Sequence, residues 1–149
     1  MNDDDRIRMI FTTSLSQTAR AYTSVADKIA SIYGLSQATA WPAVMIGRMG
    51  NHTRLSELAD ALGLDPSSLV RIIDQLVVAG IVKRIEDPKD RRAKILSLTE
   101  EGEKIMAQVE RALISFRNEL LKDVPITDIQ IGVRVLSALR ASVKNNEIV

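Results

Sequence analysis

Apolar residues recur at spacings of three and four in three long stretches of the chain, which predicts amphipathic helices. The first stretch covers residues 5–33 and ends before Gly34, a natural helix stop. It would span roughly 40 Å, so we expect a partner helix to cover part of it. The other two follow Thr99 and Thr127 as predicted caps. Their apolar positions are Ile105, Val109, Leu113, Phe116 and Leu120, and then Ile129, Val133, Leu136, Leu139 and Val143.

Shorter elements are predicted between these stretches. A second helix covers about residues 36–49, where Pro42 implies either a start just before it or a kink. A third helix over 54–62 is closed by Gly63. A fourth covers 66–79, with Asp65 as its N-cap and Pro66 at its first position. Two helices joined by a glycine-containing turn are typical of a helix-turn-helix.

Two strands are predicted next, at residues 81–85 and 94–98, with Leu96 and Leu98 facing inward. Asp87 and Pro88 open the turn, and the loop between the strands carries Asp90, Arg91 and Arg92. A helix short enough to enter a groove, beside a basic hairpin, is the outline of a winged helix. Its natural target is duplex DNA.

The predicted fold class is therefore mainly α with a small β-hairpin wing (α+β). A winged helix-turn-helix over residues 35–102 would be flanked by long dimerisation helices in residues 1–34 and 103–149. A symmetric dimer would bury the apolar stripes of these helices. The alternative is a monomeric helical bundle with an appended hairpin.

Composition agrees with a folded protein whose core is aliphatic. Hydrophobic residues make up 46%, charged residues 26% and aromatic residues only 3% of the 149 residues. We expect no membrane association, because no apolar run reaches the roughly 20 residues needed to span a bilayer. The chain opens with Asp3, Asp4 and Asp5, where a secretory signal would carry positive charge. The predicted location is the cytoplasm.

Catalysis is disfavoured by the residues that the chain lacks. It has no cysteine and a single histidine, His52, which we interpret as a solvated loop residue. Thiol chemistry is thereby excluded, and zinc sites and histidine-based acid–base catalysis are improbable. There is also no nucleophile–base pair and no phosphate-binding glycine loop. We expect no enzyme activity, no metal and no cofactor.

Charge is uneven along the chain, although the net charge is only +1. Residues 83–94 carry three acidic and six basic side chains, a local charge of +3 that suits a phosphate-facing surface. Solvated turns are often basic as well, so charge alone does not decide. The basic residues are Lys83, Arg84, Lys89, Arg91, Arg92 and Lys94.

The fourth helix carries a polar face opposite its apolar stripe, formed by Ser67, Ser68, Arg71 and Gln75. Arginine, glutamine and serine are suited to reading base edges in the major groove, although most helices have some polar face. In the loop, Arg91 and Arg92 are adjacent and need not point the same way. Asp90 either pairs with an arginine side chain or favours the turn, and we favour pairing, because phosphate would repel an unpaired carboxylate.

Residues 55–102 resemble the MarR family of winged-helix transcriptional regulators, and most of all its SlyA branch. The motifs are LSELADALGLDPSSLVRIIDQLVVAGIVKR and DPKDRRAKILSLTEEG, with PSSLVRIIDQL and DRRAK carrying the SlyA likeness. The resemblance implies base contacts by Ser67, Ser68 and Arg71. It also implies a minor-groove contact by Arg91, with Asp90 and Arg92 completing the signature. It further implies a homodimer on a pseudo-palindromic operator, with recognition helices about 34 Å apart.

The resemblance also implies a possible effector crevice, since many family members bind small aromatic acids. By position, Arg20, Tyr22, Trp41 and Met45 would line it, with Arg20 as the carboxylate partner. Ordinary packing of these side chains is the favoured alternative. Pro42 and the shifted Trp41 depart from the SlyA-like pattern and bear on this crevice more than on the DNA-binding face.

The leading hypothesis is a dimeric, sequence-specific DNA-binding regulator. The alternative is a winged-helix module that binds another protein, which Asp74, Glu86, Asp87 and Asp90 favour by diluting the basic face.

Overall fold

The computed structural model describes residues 1–145 and contains six helices and three strands in that part of the chain. The fold is mainly helical with a small antiparallel sheet, which confirms the predicted fold class. The elements are α1 (Asp3–Ser31), α2 (Gln37–Arg48), β1 (Thr53–Arg54), α3 (Leu55–Leu62), α4 (Pro66–Val78), β2 (Val82–Asp87), β3 (Asp90–Leu98), α5 (Glu100–Leu120) and α6 (Ile126–Asn145).

The chain forms two compact units, Met1–Leu113 and a second that begins at Ile114. The first unit contains α1 to α4, the sheet and most of α5. The second contains the end of α5 and α6. The predicted functional division, with a DNA-binding region over 35–102 between dimerisation helices, stays a prediction. Within residues 1–145, no helix is both long and apolar enough to cross a bilayer.

Local signals set the start of α2. Ser36 forms a reciprocal capping box with Thr39: its hydroxyl accepts from the Thr39 amide at 3.2 Å, and the Thr39 hydroxyl accepts from the Ser36 amide at 3.0 Å. The Gln37 amide donates to the Asp27 carboxylate at 2.7 Å and so joins α2 to α1. Pro42 is buried inside α2, in its second turn. The helix therefore starts well before the proline, and a start just before it was the wrong alternative.

The sheet has the strand order β1-β3-β2, with both pairings antiparallel. Leu96 and Leu98 are buried, as predicted. The strands are longer than predicted, because β2 and β3 continue to a two-residue turn, Pro88 and Lys89. Strand β1 was not predicted. The central strand β3 thus pairs on both sides along its buried half, which fixes the base of the wing in the core.

The core of the first unit lies where α2, α3 and α4 pack together and against the sheet. The inward face of α4 contributes Leu69, Ile73 and Leu76, all essentially inaccessible to solvent. Because these side chains are spaced by three and four residues, the opposite face of α4 is left exposed. The fold therefore presents the predicted polar face of this helix to solvent.

The terminal helices bury little apolar surface in a single chain. In α1 only Ala26 and Ala30 are buried, whereas Ile7, Ile10 and Phe11 near its start are exposed. In the second unit, no residue of α6 is buried. Helix α6 begins at Ile126, because the Pro125 carbonyl accepts from the amides of Asp128 and Ile129 at 3.0 and 3.1 Å. Thr127 thus lies inside the helix, and its predicted role as a cap was wrong.

Candidate nucleic-acid interface

Helix α4 begins at Pro66, which follows Asp65 in extended backbone conformation (φ −67°, ψ 135°). The Ser67 hydroxyl donates a hydrogen bond to the Asp65 carboxylate, and this bond is the main reason why the pKa of Asp65 lies below its ordinary value. Ser67 therefore keeps only its acceptor lone pairs for another partner. Ser68, one residue further, is also exposed.

Arg71 and Gln75 follow Ser67 and Ser68 on the exposed side of α4, one and two turns further along. Gln75 lines a small cleft of about 220 Å³ together with Ser36 of the α1–α2 turn and Thr39 in the first turn of α2. All four predicted residues of α4 are thus accessible. The first three lie in the two N-terminal turns, and Gln75 lies beside another loop.

The pairing of β2 with β3 is interrupted at the tip of the wing. Glu86 lies opposite Lys94, but the next pair is Asp87 with Asp90, so residues 91–93 of β3 bulge out without cross-strand partners. Arg91 and Arg92 are exposed on this bulge. The predicted position in a loop was wrong. Both residues lie in strand β3, because β3 begins directly after the Pro88–Lys89 turn.

Asp90 stabilises the backbone of the bulge. Its carboxylate accepts a hydrogen bond from the Arg92 amide at 3.0 Å. None of the ion pairs found within residues 1–145 includes Asp90, so the favoured pairing with an arginine side chain was wrong. The physical reason is proximity: an amide two residues along the same chain is already placed to donate, as in an Asx turn.

Ion pairs divide the cations of the wing into two groups. Arg84 pairs with Asp74 of α4, and Lys94 pairs with Glu86 at 3.3 Å. In the described part of the chain, the other four cations of the wing are exposed and have no ion pair. They are Lys83, Lys89, Arg91 and Arg92. The local positive charge predicted from sequence is therefore accessible to a polyanion, although Lys94 is partly engaged.

A further ion pair was missed by the sequence analysis. The Arg54 guanidinium at the end of β1 donates to the Asp87 carboxylate at the end of β2, with 2.5 Å between Nη2 and Oδ2. The two residues are 33 positions apart in the chain. No local pattern signals such a pair, because it depends on β1 and β2 lying on opposite sides of β3.

The four residues predicted for an effector crevice lie in different surroundings. Arg20 lines an open depression on α1 with Ala19, Thr23, Ser24 and Asp27. Trp41 and Met45 pack against the core, and the Arg48 guanidinium lies 5.5 Å from the centre of the Trp41 ring. Tyr22 is half-buried on α1. The effector crevice stays a prediction. The positions of Trp41 and Met45 agree with the favoured alternative, in which these side chains are ordinary packing residues.

The fold combines a helix-turn-helix packed against the core, an exposed polar face on its second helix and an adjoining cationic hairpin. These features define a winged helix-turn-helix protein of the DNA-binding class. Comparison with known proteins specifies the family. A family model described as the MarR family matches residues 44–94. The solved transcriptional regulator PA3341 is 32% identical, with 91% of this chain and 99% of that chain covered at a TM-score of 0.76. The chain belongs to the MarR family of transcriptional regulators, and is not an enzyme.

Two more distant structures share the fold. The transcriptional regulator SlyA is 18% identical over 91% of this chain and 94% of its own, with a TM-score of 0.80. A mutant MarR from E. coli, solved in complex with operator DNA, is 21% identical over 93% of this chain and 99% of its own, with a TM-score of 0.79. At these identities the likeness concerns the fold, so the assignment to the SlyA branch stays a prediction.

Proposed function

We propose that this protein is a homodimer that binds a pseudo-palindromic operator, with α4 in the major groove and the β2–β3 wing on the minor groove. The observation that carries the proposal is the set of exposed cations without an ion pair on the wing, next to a helix that exposes Arg71. Cations that are not neutralised within the protein are the ones free to replace counterions on phosphate.

The proposed roles follow from chemistry and placement. Ser68 and Arg71 lie in the first two turns of α4, where side chains of a recognition helix reach base edges, and arginine suits guanine. Gln75 and Ser67 are secondary contacts, since one lies beside the α1–α2 turn and the other donates to Asp65. On the wing, Arg91 would enter the minor groove and Arg92 and Lys94 would meet the backbone, with Asp90 shaping the bulge that presents them.

The operator complex of the E. coli MarR mutant supports DNA as the ligand, because that protein has the same fold. Dimerisation is supported by the apolar side chains that a single chain leaves exposed on α1 and α6. Two copies related by a twofold axis would place their α4 helices about 34 Å apart, one turn of B-DNA. This spacing predicts half-sites whose centres are one helical turn apart.

The experiment is a measurement of operator affinity for Arg91→Ala against Lys28→Ala. The operator is first obtained by selecting bound sequences from a random DNA pool, with the upstream region of the protein's own gene as a second probe. Both substitutions remove one positive charge, but Lys28 lies in the last turn of α1, outside the winged helix. We expect Arg91→Ala to weaken binding about tenfold or more, with an unchanged dimer, and Lys28→Ala to bind like the wild type.

Equal affinity and equal salt dependence of the two variants would contradict the assignment of the wing. Absence of any DNA binding at low salt would contradict the proposed function itself. Capture of a stable protein partner in that case would favour the alternative, a winged-helix module that binds protein.

A further inference from the structure

The tip of the wing has few attachments to the rest of the sheet. Between Lys94 and Asp90, three residues of β3 have no partner on β2, so the tip is joined to β2 by the Asp87–Asp90 pair alone. Arg91 and Arg92 lie on this segment. A contact that holds Asp87 therefore acts directly beside the segment that carries the two arginines.

Asp87 is held by contacts from two sides. Its Oδ1 atom accepts the Lys89 amide of the turn at 2.9 Å, and its Oδ2 atom accepts Arg54 at 2.5 Å. In the register of the sheet, Arg54 of β1 lies opposite Ile95 on one side of β3. Asp87 lies at the end of β2, on the other side of β3. The guanidinium therefore connects the two edge strands across β3, and the same two side chains line a cleft of about 390 Å³ with Pro88 and Lys89.

Burial separates this ion pair from the others of the wing. The Asp87 side chain is 7% exposed, whereas the side chain of the preceding residue, Glu86, is 70% exposed. An exposed pair such as Glu86–Lys94 contributes little, because water screens it and long side chains lose entropy. A buried carboxylate that loses its cation is left uncompensated, so the geometry around Asp87 responds strongly to that loss.

We propose that Arg54 and Asp87 are positioning residues, which hold the wing tip so that Arg91 and Arg92 meet DNA in a fixed orientation. The inference rests on the proposed function for its role in DNA binding, but its structural part concerns the free protein. It makes an unusual prediction about charge: the removal of a negative charge from a DNA-binding face should weaken binding.

The test compares Asp87→Asn with Glu86→Gln. Both substitutions remove one carboxylate charge, at neighbouring residues of the same strand. Asparagine retains the oxygen that accepts the Lys89 amide, so Asp87→Asn isolates the contact with Arg54. We expect Asp87→Asn to bind the selected operator about three- to tenfold more weakly. We expect Glu86→Gln to bind as well as the wild type or more tightly, because it removes an exposed charge near phosphate.

Repeating Asp87→Asn in an Arg91→Ala background distinguishes positioning from general destabilisation. If Asp87 acts by placing Arg91 and Arg92, Asp87→Asn should cost clearly less in the Arg91→Ala background than in the wild type, because one of the two placed side chains is already gone. A merely structural role would cost the same in both backgrounds. An equal cost would overturn the inference, as would tighter binding by Asp87→Asn alone.

Hydrogen exchange of the DNA-free protein gives a readout that does not depend on operator binding. The amides of residues 89–93 should exchange faster in Asp87→Asn than in the wild type or in Glu86→Gln. Equal protection in all three proteins would overturn the inference even where the wild type binds DNA. Absence of DNA binding by the wild type would count against the proposed function alone. If Asp87→Asn does not fold, Arg54→Gln breaks the same contact from its more exposed partner and takes its place in every measurement.

Discussion

At the scale of single residues, Asp87 is an acidic side chain of the wing, and its surroundings favour its charged form. The Lys89 amide is the main reason why the pKa of Asp87 lies below its ordinary value. Burial opposes this effect, while the hydrogen bond and charge of Arg54 and the charge of His52 add to it. The carboxylate therefore contributes to stability only as long as it is ionised.

A pH dependence of stability follows from this shift. Because the folded-state pKa is lower than the unfolded-state value of about 3.9, the contribution is fully present above that value and is lost as pH falls through the folded-state pKa. We expect the difference in unfolding free energy between the wild type and Asp87→Asn to be retained at about pH 5 and to shrink below about pH 4. Urea denaturation at several pH values measures it. A difference that persists undiminished to about pH 2 would contradict this assignment.

The residues that sequence reasoning placed correctly are those whose environment is local. Ser68, Arg71 and Gln75 are exposed because they lie on the side of α4 that faces away from its buried stripe, and this follows from helical spacing. The contact of Asp90 with the Arg92 amide and the contact of Asp87 with Arg54 depend on the register at the wing tip and on β1. Neither feature has a periodic pattern, so the wrong pairing was assigned to Asp90 and Arg54 was overlooked.

At the scale of elements, the junction between β3 and α5 shows how closely the wing is packed onto the helices. The Thr99 hydroxyl accepts the Gly102 amide at 2.9 Å and donates to the Gly80 carbonyl at 2.6 Å, which confirms Thr99 as the cap of α5. Gly102 is buried against Ile81. A Cβ atom at this position would lie 2.1 Å from the Ile81 carbonyl oxygen, so only glycine fits without a backbone shift.

We therefore expect Gly102→Ala to destabilise the protein by about 2 kcal/mol or more, in spite of alanine's higher helix propensity. The neighbouring atom belongs to the backbone at Ile81, directly before β2, and cannot rotate away. Gln108→Ala, at an exposed position of the same helix, should change the unfolding free energy by no more than about 0.5 kcal/mol. Urea denaturation of both variants measures the effect. Equal stability of Gly102→Ala and the wild type would show that the junction is not tightly packed.

The element boundaries show where local signals suffice. Gly63 and the capping residues at Ser36, Asp65 and Thr99 mark helix ends that the structure reproduces within one or two residues. Strand β1 is two residues long and too short to show alternation. The start of α6 was misjudged because Thr127 is a better capping residue than Pro125 in general, whereas here the Pro125 carbonyl accepts the first helical amides.

At the scale of the whole molecule, the distribution of apolar surface supports the proposed twofold assembly. The predicted stripe of α6 includes Val133 and Leu136, of which Val133 is 58% exposed in a single chain. In α1, Ile7 is 63% exposed. Soluble monomers rarely expose several large apolar side chains along one helix, so a second copy is the economical explanation. A dimer would also double the number of wing cations on one operator.

A charge placed in the apolar stripe of α6 should therefore separate the dimer. We expect the double variant Val133→Glu and Leu136→Glu to sediment near 16.5 kDa, the mass of one chain, while the wild type sediments at twice that mass. Ala138→Glu is the control, because residue 138 lies opposite the stripe on the helix. Operator affinity of the double variant should fall steeply, since a monomer reaches one half-site only. A wild type that sediments as a single chain at micromolar concentration would contradict the twofold assembly and with it the expected spacing of half-sites.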